Sequence, residues 1–266
     1  MSKKRLDVFL AENGLCPSRE RAQAVIMCGD VYVGGQRALK PGMMIDDKAD
    51  VDVRGETMKF VSRGGYKLEK ALDEFGVSPA GWCCLDCGAS TGGFTDCLLQ
   101  RGARRVYAID VGYGQLAWRL RSDERVVVME RTNVRHLTPD DIPEKAQLAV
   151  VDVSFISLKL VLPAVKSLLT GDGLVICLIK PQFEAGRLKV GKKGVVRDRE
   201  THMEVLQSFV QNAENSGFQV KSVTFSPIKG PVGNIEFLGC LALQGAKTAF
   251  DLETIVSEAH RALEGR

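Results

Sequence analysis

The pattern of apolar and polar positions changes character about 60 residues into the chain. In the first part, apolar residues at helical spacing predict one helix starting near Leu6 and a second from an N-cap at Ser18 to a stop at Gly29. Short apolar runs at 31–33 and 51–53 predict small strands. We therefore predict a compact two-helix α+β unit in this part.

The rest of the chain alternates apolar strands with amphipathic helical stretches, and a closing helix is predicted over residues 250–263. This alternation favours a parallel sheet with crossover helices, so the predicted fold class is α/β and Rossmann-like, with a small N-terminal α+β domain. We predict an N-terminal domain at 1–60, a connector at 61–66 and a larger domain at 67–266. The predicted strands are Trp82–Asp86, Val106–Asp110, Val126–Met129, Leu148–Asp152, Leu174–Ile179, Val220–Phe225 and Ile235–Leu243.

Composition narrows the class of protein. With 45% hydrophobic and 26% charged residues, the chain can bury an ordinary core, which excludes disorder as its default state. No apolar run approaches the roughly 18 residues that span a bilayer, and the Met1 end does not resemble a secretion signal. We therefore expect a cytoplasmic protein with reduced thiols. The net charge of +3 permits an anionic partner without requiring one.

Cys84 and Cys87 form a C-x-x-C pair, the spacing found in zinc and redox sites. A structural zinc site needs four ligands, but the other cysteines are scattered and the three histidines lie far apart in the sequence. Because the pair sits in an apolar run, we favour packing over metal or redox chemistry, and we predict no metal cofactor.

Basic residues are concentrated near the predicted helix starts and turn of the first domain. Such a cluster is typical of a solvated surface, but it also suits a nucleic-acid backbone. The motifs Arg5-Leu6-Asp7, Ser18-Arg19-x-x-Ala22 and Gly29-x-Val31-x-Val33-x-Gly35 resemble the S4 RNA-binding domain, although Gly34 stands where that family commonly has Asn. The resemblance implies RNA as the partner, and the candidate RNA-binding residues here are Lys3, Lys4, Arg5, Arg19, Arg21 and Lys40.

A glycine-rich segment follows the first long strand. Its spacing is that of a phosphate-binding P-loop, but Phe94 stands where the essential Lys belongs. The pattern Asp86-x-Gly88-x-x-x-Gly92-Gly93 instead resembles the first motif of S-adenosylmethionine-dependent methyltransferases. That cofactor carries a sulfonium and no phosphate, so an acidic neighbour is favourable. A generic glycine turn is the alternative. The candidate cofactor-binding residues are Asp86, Gly88, Ala89, Ser90, Thr91, Gly92, Gly93, Phe94, Asp110, Asn133 and Asp152, with Thr132 as a weaker candidate beside Asn133.

Four charged residues stand at positions where chemistry is expected. Asp152 and Lys180 end neighbouring predicted strands, Glu236 interrupts an apolar strand, and Lys67 opens a helix. Each alone is typical of a structural or surface ion pair. Together with Ser62-Arg63-Gly64-Gly65-Tyr66 they resemble the FtsJ-type ribose 2′-O-methyltransferases. The family's Lys-Asp-Lys-Glu order falls on the residues that we call the charged tetrad: Lys67, Asp152, Lys180 and Glu236.

An S4 domain followed by an FtsJ-like domain resembles the TlyA family of ribosomal RNA 2′-O-methyltransferases, which are also named haemolysins. The resemblance implies S-adenosyl-L-methionine as cofactor and ribosomal RNA or ribosomal subunits as partner, with cytidines of 16S and 23S rRNA as targets. By the same resemblance Lys180 orients or deprotonates the ribose hydroxyl, and the sequence leaves both roles open.

The stretch 186–194, which we call the basic loop, is rich in glycine and positive charge. It is interpreted equally well as a solvated loop or as a segment that closes over an RNA backbone. The further candidate RNA-binding residues are Arg63, in the connector, and Arg187, Lys189, Lys192 and Lys193 in this loop.

Two other functions are compatible with the resemblance. A membrane-lytic protein would need a membrane-inserting element, and the sequence has none beyond the helices that its core requires. A non-catalytic RNA-binding protein with a methyltransferase-like fold would not need the complete charged tetrad and glycine segment. We therefore favour the methyltransferase.

Overall fold

The computed structural model describes residues 3–16, 18–53, 59–245 and 248–263, apart from the side chains of Cys28 and Arg187. The chain forms two compact units, residues 1–63 and 64–266. Helix α3 of the second unit begins at Gly64, so residues 64–66 of the predicted connector are helical.

The first unit combines two helices with two small antiparallel sheets. β1 pairs with β4, and β2 pairs with both β3 and β5. The apolar pattern does not predict β1, β3 or β4, because each is three residues long and carries too few apolar positions to show a strand period. The elements are β1 Lys3–Arg5, α1 Leu6–Glu12, α2 Arg19–Cys28, β2 Val31–Val33, β3 Gln36–Ala38, β4 Met44–Asp46 and β5 Val51–Val53.

The ends of α2 have the predicted signals. The Ser18 hydroxyl accepts a hydrogen bond from the Arg21 amide, which satisfies one free N–H of the first turn. Gly29 ends the helix in the left-handed region at φ 78°. The apolar faces of α1 and α2 then form one core with Val31, Ala38 and Ile45 of the strands.

The second unit is a seven-stranded sheet with helices packed against it. Its elements are α3 Gly64–Phe75, β6 Cys83–Cys87, α4 Gly93–Gln100, β7 Arg105–Ile109, α5 Trp118–Arg121, β8 Val126–Met129, β9 Ala146–Val151, α6 Leu162–Ser167, β10 Leu169–Ile179, α7 Pro181–Glu184, α8 Arg199–Asn215, β11 Gln219–Phe225, β12 Phe237–Ala242 and α9 Leu252–Leu263. Short 3₁₀ turns cover residues 134–136, 139–141, 158–160 and 187–189.

The strand order is β11-β12-β10-β9-β6-β7-β8. The five strands from β10 to β8 are parallel, so their carboxyl ends share one edge of the sheet. β12 runs antiparallel to both β10 and β11, so its first residues lie at that same edge. The order in which the strands are added to the sheet reverses between β6 and β9, since β7 and β8 lie on one side of this point and β10 on the other. Ligands bind at such a point in open α/β sheets.

Four predicted strand boundaries were wrong at candidate site residues. β7 ends at Ile109 and β9 at Val151, each one residue before the predicted end at Asp110 or Asp152. Asp86 does not end β6, because the pairing continues through Cys87, which is in register with Ile109 and Val151. Glu236 is not inside a strand, because β12 begins one residue later at Phe237. Each of the seven predicted long strands is present, with ends that shift by a few residues.

Candidate functional site

The glycine segment after β6 passes very close to the end of β9. Gly88 has φ +93°, and a Cβ added there would lie 2.5 Å from the backbone oxygen of Asp152. The Gly88 amide also donates a hydrogen bond of 2.8 Å to the Ile109 carbonyl at the end of β7. A side chain at Gly88 would therefore separate the ends of the three central strands, which explains the glycine.

Asp110, directly after β7, fixes the glycine segment. Its Oδ2 accepts a hydrogen bond of 2.8 Å from the Ser90 amide, and its Oδ1 accepts one of 2.7 Å from the Gly112 amide. Each carboxylate oxygen has two lone pairs, so both retain capacity for a ligand hydroxyl. The carboxylate thus holds two loops that border the cleft.

A cleft of about 1210 Å³ lies at this edge of the second unit. The predicted cofactor residues that line it are Gly88, Ser90, Asp110, Thr132, Asn133 and Asp152. Among the other predicted residues, Ala89, Gly92, Gly93 and Phe94 are buried. Thr91 is half-buried, and its carbonyl accepts a hydrogen bond from the Ala117 amide.

Asp86 lies beneath the glycine segment with no exposed surface. Its Oδ2 accepts hydrogen bonds from the amide and hydroxyl of Thr95, at 2.8 and 2.6 Å, whereas its Oδ1 has no hydrogen-bond partner among the described residues. Burial, with smaller contributions from the charges of Asp152 and Asp110, raises the pKa of this carboxyl to about 7 despite the opposing hydrogen bonds from Thr95. The carboxyl groups of Asp86, Asp110 and Asp152 therefore surround the glycine segment, and a cationic ligand there favours the ionised form of Asp86.

The charged tetrad forms two ion pairs. In the first, Lys67 Nζ of α3 lies 2.6 Å from Glu236 Oε2, and both side chains are buried. Glu236 Oε1 also accepts a hydrogen bond of 3.3 Å from the Gln182 side-chain amide. A buried carboxylate needs such partners, because burying an unpaired charge is very costly.

In the second pair, Lys180 Nζ lies 2.5 Å from Asp152 Oδ1 and donates a hydrogen bond of 2.9 Å to the Ser154 hydroxyl. Asp152 and Ser154 follow β9 and line the cleft. Lys180 follows β10 and is mostly buried. It is not one of the residues that line the cleft, but its ammonium contacts two side chains that do. Ser154 had not been predicted as a site residue.

Strand register explains how the two pairs reach the same edge. Ile179 of β10 and Phe237 of β12 are directly paired in an antiparallel ladder. Lys180 follows Ile179 and Glu236 precedes Phe237, so these two residues are neighbours at the sheet edge. Residues distant in sequence are thus assembled by the sheet itself.

An exposed aromatic pair at the cleft was missed by the sequence analysis. Phe155 is 91% exposed and has φ 64°, which is strained for a bulky side chain. Its ring centroid lies 5.0 Å from that of Phe183, and both residues line the cleft. Glu184 holds this segment by accepting hydrogen bonds from the Ser157 hydroxyl and the Leu158 amide, at 2.6 and 2.8 Å. The sequence signal that could have revealed the pair is an aromatic residue, Phe155, directly after the polar residues Asp152 and Ser154 that follow β9.

The C-x-x-C cysteines pack in the core. Cys84 and Cys87 are both buried in β6, and burial raises the pKa of each thiol well above its usual value, so both are neutral. Within the described ranges, no group of His, Cys, Asp and Glu side chains could hold a metal ion. Over the same ranges, no helix has the length and apolar character needed to cross a membrane.

The predicted RNA-binding residues of the first unit differ in their surroundings. Lys4 pairs with Glu12 at 2.9 Å, and the Arg21 guanidinium donates a hydrogen bond of 3.2 Å to the Phe60 carbonyl. Lys3 and Lys40 are exposed. Arg5 and Arg19 both contact one carboxylate, that of Asp7. Arg63, at the end of this unit, is half-buried.

The basic loop of the second unit is largely exposed. Lys192 and Lys193 are exposed, whereas Lys189 forms an ion pair with Glu204 of α8. The side chain of Arg187, also predicted to bind RNA, lies outside the described residues. Asn234 is fully buried and ties the end of the loop to the segment before Glu236, since its side chain accepts a hydrogen bond from the Val196 amide and donates one to the Gly194 carbonyl, each at 2.9 Å.

Comparison with known proteins agrees with this architecture. The FtsJ-like methyltransferase family model matches residues 60–243, and the S4 domain model matches residues 4–51. The chain is 43% identical to the 16S/23S rRNA (cytidine-2′-O)-methyltransferase TlyA of Mycobacterium tuberculosis, over 98% of this chain and 97% of that protein. It is also 43% identical to Hemolysin A of Brachyspira hyodysenteriae, over 88% of this chain and 98% of that protein.

A solved structure from Streptococcus thermophilus, which carries the name of a hemolysin, superimposes with a TM-score of 0.79 at 45% identity. It covers 99% of this chain, and this chain covers 98% of it. The predicted fold class, a Rossmann-like methyltransferase domain with an N-terminal S4 domain, is confirmed. The chain belongs to the FtsJ-like methyltransferase family and, within it, to the group that includes TlyA.

Proposed function

We propose that this protein transfers a methyl group from S-adenosyl-L-methionine to the ribose 2′-hydroxyl of cytidines in 16S and 23S ribosomal RNA. The observation that carries the proposal is that Lys180 is held by Asp152 and Ser154, two side chains that line the same cleft as Gly88 and Ser90 of the glycine segment. Methyl transfer requires the group that holds the ribose hydroxyl to lie next to the segment that holds the methyl donor. An rRNA substrate implies action in the cytoplasm.

The residues around the cleft fit the cofactor. Gly88 allows a close backbone approach, Asp110 and Asn133 offer hydrogen-bond acceptors, and residues 86–94 contain no Lys or Arg that would grip a phosphate. The buried carboxyl of Asp86 adds negative potential beneath the same segment. When bound, S-adenosyl-L-methionine supplies a methyl group made electrophilic by its sulfonium. The protein's contribution is to hold that donor beside the ribose hydroxyl.

Lys180 is proposed to position the ribose hydroxyl. Its ammonium can donate a hydrogen bond to the 2′-oxygen, which stabilises negative charge on that oxygen while the C–O bond forms, the bond from sulfur to the methyl carbon breaks and the hydroxyl proton passes to solvent. Asp152 and Ser154 fix the ammonium in one direction. Lys67 and Glu236 stabilise the neighbouring part of the sheet edge and are proposed to complete the tetrad.

The aromatic pair is proposed to receive the target base. Bases of single-stranded or flipped-out nucleotides stack on exposed aromatic rings, and Phe155 is held in a strained backbone conformation with nearly its whole ring exposed. Strain of this kind is found at functional sites because it fixes a side chain that would otherwise point elsewhere. Phe155 and Asp152 line the same cleft, so a base stacked on Phe155 could belong to a nucleotide whose ribose lies at Lys180.

The test is transfer of labelled methyl groups to unmodified ribosomal subunits, followed by nucleoside analysis of the RNA. We expect 2′-O-methylcytidine as product. The variant Lys180→Met should lose at least about 100-fold in rate while its affinity for the cofactor stays within a few-fold, the range typical of a missing proton-handling or positioning group. The matched control is Lys145→Met, at an exposed lysine away from the cleft.

Three outcomes would contradict the proposal. Full turnover by Lys180→Met removes the role of the tetrad, and label on a base instead of ribose removes the reaction. Absence of any transfer, combined with tight RNA binding, supports the non-catalytic RNA-binding protein. Lysis of red cells by purified protein would support the membrane-lytic alternative that the name of the Brachyspira relative raises.

A further inference from the structure

Asp7 in the first unit is a carboxylate with no exposed surface, although it lies at the start of a short helix beside two half-exposed arginines. Its Oδ1 accepts a hydrogen bond from Arg5 Nε at 3.0 Å, and its Oδ2 accepts one from Arg5 Nη2 at 2.9 Å. The contact is therefore bidentate, which fixes both the distance and the plane of the guanidinium.

Two further side chains converge on the same carboxylate. Arg19 Nε donates to Oδ2 at 3.0 Å, and Gln23 Nε2 donates to Oδ2 at 2.8 Å. Both come from α2, whereas Arg5 and Asp7 belong to the junction of β1 and α1. Asp7 thus joins the two helices of the unit and brings two guanidinium groups within hydrogen-bond distance of one carboxylate.

The arrangement leaves positive charge available. Hydrogen bonds from Arg5, Gln23 and Arg19 outweigh the effect of burial and hold the pKa of Asp7 well below its usual range, so the carboxyl is ionised. Two guanidinium groups and one carboxylate carry a net charge of +1. The side chains of Arg5 and Arg19 remain 45% and 49% exposed, so each keeps N–H groups that a partner can reach.

We propose that Asp7 is a positioning residue for RNA binding, which holds Arg5 and Arg19 as a fixed pair for the phosphodiester backbone. The proposal rests on the RNA-binding function proposed above. A free arginine loses much rotamer freedom when it grips a phosphate, and that loss weakens binding. Here the folded protein has already restricted both side chains before RNA arrives. Guanidinium groups held in a plane also match the geometry of phosphate oxygens.

The positioning role and simple electrostatics predict opposite changes in RNA affinity when Asp7 is replaced. Replacing Asp7 by Asn makes the protein more positive by one charge, which on charge alone strengthens RNA binding. If Asp7 positions the arginines, the same replacement releases them and weakens binding. A matched control is Asp50→Asn, which removes one negative charge from an exposed side chain of the same unit.

The experiment measures the affinity of the full-length variants for an unmodified rRNA fragment at several salt concentrations. We expect Asp7→Asn to bind about 5- to 10-fold more weakly, and Asp50→Asn to bind as tightly as the unaltered protein or more tightly. In a background with Arg5→Ala and Arg19→Ala, Asp7→Asn should cause no additional loss, because its effect acts through those two side chains.

Arg19→Lys serves as a second variant, because Asp7→Asn removes a buried charge and can unfold the unit. It keeps the charge and changes only a half-exposed side chain, but a lysine cannot reproduce the Nε contact to Asp7. It should weaken binding about 3-fold or more.

Tighter binding by a folded Asp7→Asn variant, additional loss in the double-arginine background, or unchanged affinity of Arg19→Lys would each overturn the positioning role. Unchanged affinity of Arg5→Ala and Arg19→Ala would instead contradict the proposed RNA-binding face itself.

Discussion

Lys67 Nζ lies 2.6 Å from Glu236 Oε2, although 169 residues separate them in the chain. One comes from the first turn of α3 and the other from the residue before β12. Both side chains are buried, so the contact joins two distant parts of the second unit inside its core.

The first prediction concerns the stability of this pair. Glu236→Gln leaves the Lys67 ammonium buried without a carboxylate, which should lower the free energy of unfolding by about 3–5 kcal/mol. Urea denaturation measures this change. The control is Glu74→Gln, which removes a more exposed partner of Lys70 on α3 and should change stability by less than about 1 kcal/mol. Equal stability of the two variants would show that the buried pair is not needed for folding.

The second prediction concerns Gly230, in the segment before Glu236. A Cβ at this position would lie 2.5 Å from Glu236 Oε1, so Gly230→Ala must displace the carboxylate. We expect methyl transfer to fall by about 10-fold or more, since small displacements in a catalytic arrangement have large effects. Cofactor binding at the glycine segment should stay the same, because the added Cβ meets Glu236. Gly171→Ala is the control, because its nearest atom would lie 3.9 Å away. Similar rates for both variants would separate Glu236 from the reaction.

The third prediction is a pH dependence of cofactor binding that arises from Asp86. Burial raises its pKa to about 7, and a bound cation favours the ionised carboxylate. Binding should therefore release a proton and be about tenfold weaker at pH 6 than at pH 8. Isothermal titration calorimetry in two buffers of different ionisation enthalpy measures both effects. Asp86→Asn should bind independently of pH over this interval, and a persisting pH dependence would assign it to another group.

The fourth prediction compares lysines within the basic loop. Lys192→Ala with Lys193→Ala should reduce the slope of log affinity against log salt by about 0.7–0.9 for each phosphate that the loop no longer neutralises. Lys189→Ala should change the slope less, because the Lys189 ammonium already pairs with Glu204. RNA binding measured over a salt series makes the comparison. An unchanged slope in the double variant favours the solvated-loop interpretation.

The fifth prediction concerns acid stability. His202 and His260 are buried, and His202 Nδ1 lies 2.9 Å from His260 Nε2 between α8 and α9. Burial, together with the charge of His260, lowers the pKa of His202 to about 4. The folded protein thus binds fewer protons than the unfolded chain between about pH 6.5 and 4, so this contribution to stability is complete above pH 6.5 and disappears as the pH falls.

Urea denaturation at pH 7, 6 and 5 tests that contribution. His202→Gln, which cannot take up a proton, should show a shallower decline of stability with falling pH than the unaltered protein. Identical slopes would assign the acid sensitivity to other groups.

Much of the fold could be predicted because it depends on local patterns. The caps of α2 at Ser18 and Gly29 follow from the preferences of single residues, and the parallel strands follow from short apolar runs. The strands β1, β3 and β4 could not be predicted, because they lack the paired valines of β2 and β5 and are specified by their partner strands.

The site could be predicted only in part, because some of its residues stand at strand ends and others depend on tertiary packing. Asp152 and Lys180 stand at strand ends, where a general rule directs attention. The pairing of Lys67 with Glu236 depends on the register of β12, which a sequence pattern does not contain. Phe155 was missed because its exposure results from a strained φ angle, and the convergence of Arg5 and Arg19 on Asp7 depends on the packing of α1 against α2.

The reversed direction of β12 has a consequence for altering this protein. Because the strand enters the sheet at the cleft, the location of Glu236 is governed by the length of the segment 226–235 that precedes it. Insertions or deletions there would shift its carboxylate, whereas changes of length after Ala242 fall beyond the opposite end of the strand. Reporter tags or homologous replacements are therefore better tolerated downstream of this strand than in the hairpin leading into it.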